Sequence, residues 1–95
     1  MPAFLFPVRL NSRVEVIELK RSKDWYIATV AVNGRKAWSF DIHESDWHEM
    51  DERQKDLYLE RSAITLLNRY GDAREIRVRE DGQIVPRFGE AEAGI

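Results

Sequence analysis

The sequence predicts an α+β fold, an antiparallel sheet in the order β-β-β-β-α-β-β packed on one main helix. Three observations predict it. Trp25 to Val32 and Arg35 to Ile42 are rich in β-branched and aromatic residues and flank Asn33-Gly34, a dipeptide that tolerates the two positive φ angles of a tight hairpin turn. Asp51 to Tyr70 carries apolar residues at helical spacing and is followed by Gly71, as expected of a helix and its stop. Ala73 to Glu80 and Gln83 to Phe88 flank Asp81-Gly82, the other favoured hairpin dipeptide.

The elements follow in order. Phe4 to Leu10 reads as an edge strand, because Pro7 cannot donate to a ladder. Arg13 to Leu19 alternates apolar and polar residues until Ile17 breaks the pattern, which predicts a bulge there. For the Asn33-Gly34 hairpin, a two-residue loop pairs Val32 with Arg35, Ile27 with Phe40 and Thr29 with Trp38. Trp25, Ile27, Trp38 and Phe40 then share one face, and the helix is expected to cover it. Ser45 or Asp46 is expected to open a helical turn, with Asp46 and Glu49 at capping-box spacing and Asp51 and Gln54 repeating it.

One continuous helix fails from there. At 100° per residue, Trp47, Met50 and Leu57 fall opposite Leu59, Ala63, Leu66 and Tyr70. A short turn around Trp47 to Met50 is therefore expected, then a main helix from Asp51 to Tyr70. Its core face is Leu59, Ala63, Leu66, Leu67 and Tyr70, and Gly71 closes it in a left-handed conformation. In the second hairpin a two-residue loop pairs Val78 with Val85 and Ile76 with Arg87. Pro86 points to an edge. The expected domain spans residues 1–88, with 89–95 as a flexible tail.

Composition narrows function by exclusion. Hydrophobic residues make up 43% and charged residues 34% of 95 residues, enough for one small core and too apolar for a disordered chain. Cysteine is absent, which excludes disulfides, thiolate metal sites and a cysteine nucleophile. No apolar run approaches the roughly 20 residues of a membrane span. The opening Met1-Pro2-Ala3-Phe4-Leu5-Phe6-Pro7 lacks the basic leader of a signal peptide. A cytoplasmic domain, monomeric or homodimeric, is the expectation.

Charge is segregated along the chain. Arg9 to Lys36 holds seven basic and three acidic residues, whereas Asp41 to Asp56 holds seven acidic and two basic ones. The near-neutral total of −2 hides this separation. The acidic stretch suggests one surface, formed by Glu44, Asp46, Trp47, Glu49, Asp51 and Glu52, that meets an Arg/Lys-lined groove on a protein partner. Trp47 is an aromatic anchor in that reading, or else it packs under the helix start. The basic stretch suggests the alternative, nucleic-acid binding through Lys20, Arg21, Lys23, Arg35 and Lys36.

Trp25-Tyr26-x-Ala28-x-Val30-x-Val32-Asn33-Gly34-Arg35-Lys36-x-Trp38-x-Phe40, followed by a helix, resembles the three-stranded-sheet arm-type DNA-binding domains of phage-type integrases. That resemblance covers under half of the chain and implies DNA binding by the sheet. The acidic segment after Phe40 and the C-terminal hairpin depart from the pattern. As a small, acidic, cysteine-free chain without catalytic motifs, it also resembles in profile phage-encoded inhibitors of host defence, anti-CRISPR proteins among them.

Catalysis has weak support. His43 and His48 lie among six carboxylates between Asp41 and Glu52, but without the His-Glu-x-x-His spacing of zinc enzymes. Acids at a helix start are explained by the helix dipole alone. None of Ser12, Ser22, Ser39, Ser45 and Ser62 sits in a Gly-x-Ser-x-Gly elbow. The glycines form no phosphate-cradling loop. The reading is a non-catalytic protein-binding module without metal or cofactor, acting as an inhibitor of a nucleic-acid-handling complex. An enzyme using His43, His48 and nearby acids ranks third.

Overall fold

A computed structural model of the chain describes residues 7–34 and 36–88. Its strands are β1 (Val8–Arg9), β2 (Val14–Ser22), β3 (Trp25–Val32), β4 (Lys36–His43), β5 (Glu75–Val78) and β6 (Ile84–Arg87). Two helices, α1 (Glu44–Glu49) and α2 (Glu52–Tyr70), separate β4 from β5. All six strands form one sheet in chain order, so the fold is α+β with one main helix. Neighbours are antiparallel except β4 and β5, which run parallel. The helices supply the crossover that a parallel pair requires, so the sheet is mixed where a purely antiparallel one was expected.

The expected bulge is present. Pairing of β2 with β3 shifts between Val16 and Glu18, which leaves Ile17 outside the ladder and exposed. β1 and β6 are the two edges, where Pro86 costs no ladder bond. The expected strand from Phe4 reduces to Val8–Arg9 among the described residues, and residues 1–6 lie outside them.

Both hairpin registers differ from the expected ones by one residue. Val32 pairs with Lys36, Val30 with Trp38 and Ala28 with Phe40. The expected pairing of Val32 with Arg35 involves a residue outside the described ones. Asn33 and Gly34 do have positive φ, 56° and 74°, yet the ladder closes one residue later, leaving three residues between Val32 and Lys36. In the second hairpin Val78 pairs with Ile84 and Ile76 with Pro86. There Arg79 N–H donates to the Gln83 carbonyl and only Gly82 has positive φ, 86°. This is a three-residue loop whose last position is left-handed.

A one-residue slip turns every side chain to the other face. Trp38 and Phe40 face the helices, but Trp25 and Ile27 do not. The covered face carries a row from Val16 through Val30 and Trp38 to Ile76. All four are buried, together with Val14, Ala28, Val32, Phe40 and Ile42. α2 closes the core with Leu59, Ala63 and Leu66 buried, while Leu67 and Tyr70 pack at its margin. In the observed register Val30 and Val32, paired with Val16 and Val14, share the covered face with Trp38 and Phe40, each buried side chain contributing about 2 kcal/mol, whereas the two-residue loop would set Trp25 and Ile27 there in their place. The open face carries Trp25, Ile27, Thr29, Ser39, Asp41 and Arg77.

Gly71 also differs from expectation. It caps α2 with φ −56° and ψ −25°, right-handed, so positive φ is not its reason. A Cβ at this position would lie 2.9 Å from the Leu67 carbonyl oxygen. Glycine is needed for close approach. Residues 89–95 lie outside the described ones.

Candidate functional site

The acidic stretch folds into the α1–α2 corner. β4 ends at His43, which caps α1, because the Ser45 N–H donates to His43 Nδ1 at 3.1 Å. The cap therefore comes before Ser45 and Asp46, and Asp46 sits in the first turn, where the helix dipole favours an acid. Glu44 N–H donates to the Asp24 carbonyl at 2.8 Å, which ties α1 to the β2–β3 turn. Trp47 is the buried residue of α1. It packs on Tyr26 with ring centroids 5.6 Å apart, and the Lys55 ammonium lies 4.8 Å from its ring centroid. Trp47 thus holds the corner in place and presents little surface of its own.

The helix breaks where the two apolar faces demanded it. Met50 is extended at φ −91° and ψ 139°, and Asp51 starts α2 with a full capping box. Gln54 N–H donates to Asp51 Oδ1 and Asp51 N–H donates to Gln54 Oε1, each at 2.8 Å. These contacts fix the corner from which Asp46, Glu49 and Glu52 project into solvent. Glu52 meets Lys55 at 3.5 Å, but its side chain is 91% exposed, so that pair holds little. Glu44 is ion-paired with Arg21. Further along α2, Asp56 lies one turn from both Glu52 and Glu60. Partial burial first, then the charges of Glu52 and Glu60, push its carboxyl above the usual range.

Beside this corner lies a cleft of about 490 Å³ between the end of β4, the α1–α2 bend and the β5–β6 turn. Asp41, Asp46, Glu49 and Glu80 line it, with Trp25 and Tyr58 as aromatic walls. These residues are scattered in the sequence, and only Asp46 and Glu49 belong to the expected site.

No protein-family model, curated protein or solved structure matches the chain.

Among the described residues the basic ones do not converge. Lys20 lies on the open face with Glu18 at 3.7 Å. Arg21 lies on the helix side, 5.3 Å from the Tyr26 ring centroid. Lys23 turns between β2 and β3 with φ 56°. Lys36 begins β4 at the opposite end of β3, and eight strand residues separate the two ends by about 25 Å. Arg35 lies outside the described residues.

The histidines are occupied separately. His43 caps α1 and meets Trp25 edge-on at 5.0 Å, while His48 Nε2 lies 3.4 Å from the Tyr26 hydroxyl. Among the described residues no three His, Asp or Glu side chains are grouped to hold a metal ion, and no helix is long and apolar enough to cross a membrane.

Proposed function

We propose that the chain is a non-catalytic protein-binding module whose α1–α2 corner presents carboxylates to a basic groove on its partner. One observation carries this reading. Asp46, Glu49 and Glu52 are exposed on a corner held by a capping box, a helix cap and a buried tryptophan. Carboxylates fixed in this way bind a complementary surface with little ordering cost. A groove that ordinarily takes phosphates offers that complement, so the partner class is a nucleic-acid-handling protein and the effect on it is inhibition. Glu44 is engaged by Arg21, and Asp51 by its cap. Both support the surface more than they contact a partner.

Direct nucleic-acid binding has less support, because among the described residues the cations it needs are divided between opposite ends of β3. A pull-down from cytosol with the tagged chain, split into nuclease-treated and untreated halves, separates the two readings. A stoichiometric protein retained after nuclease treatment is the expected result. Recovery of nucleic acid alone, or of proteins lost on treatment, overturns it.

A further inference from the structure

We infer that the cleft beside the corner is a receptor for one arginine side chain of the partner. The inference rests on the protein-binding reading and names what that partner must insert. The cleft is lined by four carboxylates, those of Asp41, Asp46, Glu49 and Glu80, and by no lysine or arginine. Acidic rims are common on surfaces, but Asp41 distinguishes this one. Its side chain is only 5% exposed. Oδ2 accepts a hydrogen bond from Arg77 at 3.1 Å, whereas Oδ1 is buried and has no partner among the described residues. A buried acceptor without a donor is costly, and a ligand that brings an N–H removes that cost. Asp41 lines the cleft and its carboxylate torsion is soft, so a rotation of the carboxylate brings this acceptor to a donor entering there.

The same residues select the cation. Among the described residues no three ligands converge on a metal ion, and about 490 Å³ leaves room for a side-chain head with part of its stem. Trp25 and Tyr58 flank the space with Met50, apolar walls that suit a side-chain stem and a planar head. A guanidinium stacks on aromatic rings and spreads its donors over several carboxylates, which a compact ammonium does less well. The backbone leaves room for entry, because β5 pairs with β4 only from Ala37 to Phe40. The end of β4 from Asp41 to His43 therefore has no strand beside it on that side.

The probe is N-acetyl-arginine methylamide, titrated into the isotope-labelled full chain and followed by NMR. Saturable shifts are expected at the Trp25 indole and at the amides of Asp41, Ile42 and Glu49. A dissociation constant on the order of 1 mM is expected for so small a ligand. The uncharged citrulline analogue should bind about tenfold more weakly, and the lysine analogue should fall between them. Asp41→Asn should weaken the arginine probe about fivefold and Glu80→Gln about twofold, with Glu75→Gln, on the open face, unchanged.

Shifts that do not saturate, equal binding of citrulline, or displacement of the probe by millimolar Mg²⁺ would each overturn the inference. So would unchanged affinity in Asp41→Asn. If that variant does not fold, unchanged affinity in both Glu80→Gln and Glu49→Gln does the same. Capture of a nuclease-resistant protein with no saturable probe binding defeats this inference alone. Probe binding with no protein captured defeats the broader reading instead.

Discussion

Val30→Thr and Thr29→Val together test which face of the sheet the helices cover. The register places Val30 opposite Trp38 with none of its surface exposed. Threonine has nearly the shape of valine and the same strand preference, so Val30→Thr changes little except to exchange a buried methyl for a hydroxyl. The lost methyl costs about 0.8 kcal/mol. Burying a hydroxyl with no assured partner costs about 1–3 kcal/mol more. The net loss of about 2–4 kcal/mol lowers the melting temperature of a chain this size by at least roughly 8–16 °C.

Thr29 lies on the open face, where its hydroxyl meets Ser39 Oγ at 3.0 Å. Thr29→Val should cost no more than about 1 kcal/mol. Urea and thermal unfolding of both variants would measure the difference. With the two-residue loop the assignments reverse, since Thr29 would then face Trp38. A silent Val30→Thr would refute the register and with it the placing of Asp41 and Trp25 on the open face.

Three further outcomes follow from the same contacts. Asp51→Ala removes the capping box and should cost about 1 kcal/mol, most of it recovered in Asp51→Ser, as read from urea unfolding midpoints. Asp56 has a folded-state pKa above its ordinary value, so its effect on stability is favourable in acid and lost as pH rises through that value. Asp56→Asn should therefore raise the melting temperature at pH 7 by a small amount, and the gain should vanish well below pH 4; a pH series of thermal melts checks it. At Gly71 the right-handed backbone alone would let alanine stabilise the chain, but the close Leu67 carbonyl makes Gly71→Ala destabilising. Gly71→Asn, which a left-handed site would tolerate, should destabilise as well; thermal melts of both variants check this.

Much of this fold was legible because local chemistry dictated it. Ile17 interrupted an alternating strand, and the ladder slips there. Trp47 and Met50 lay on the wrong side for a straight helix through Leu59, and the chain bends at Met50. Asp51 and Gln54 had the spacing of reciprocal caps, and they cap. Register was not legible, because Asn33-Gly34 and Asp81-Gly82 supply positive φ equally well to loops of two or three residues. The choice is made by the cross-sheet row through Val16, Val30, Trp38 and Ile76, which no local window contains. That same slip moved Trp25 off the core and beside Asp41 and His43. The cleft was hidden for the related reason that Trp25, Asp41, Tyr58 and Glu80 meet only after the crossover lays β5 beside β4. His48 and Trp47, conspicuous among the acids, serve Tyr26 instead.

The most direct measurement compares two charge-reversed baits in the nuclease-treated pull-down. One carries Asp46→Lys, Glu49→Lys and Glu52→Lys, leaving the caps at His43 and Asp51 intact. The other carries Lys20→Glu, Lys23→Glu and Lys36→Glu. With both baits shown to be folded by circular dichroism, the acidic corner predicts that the first loses the captured protein and the second retains it. Retention by the first and loss by the second would contradict the account.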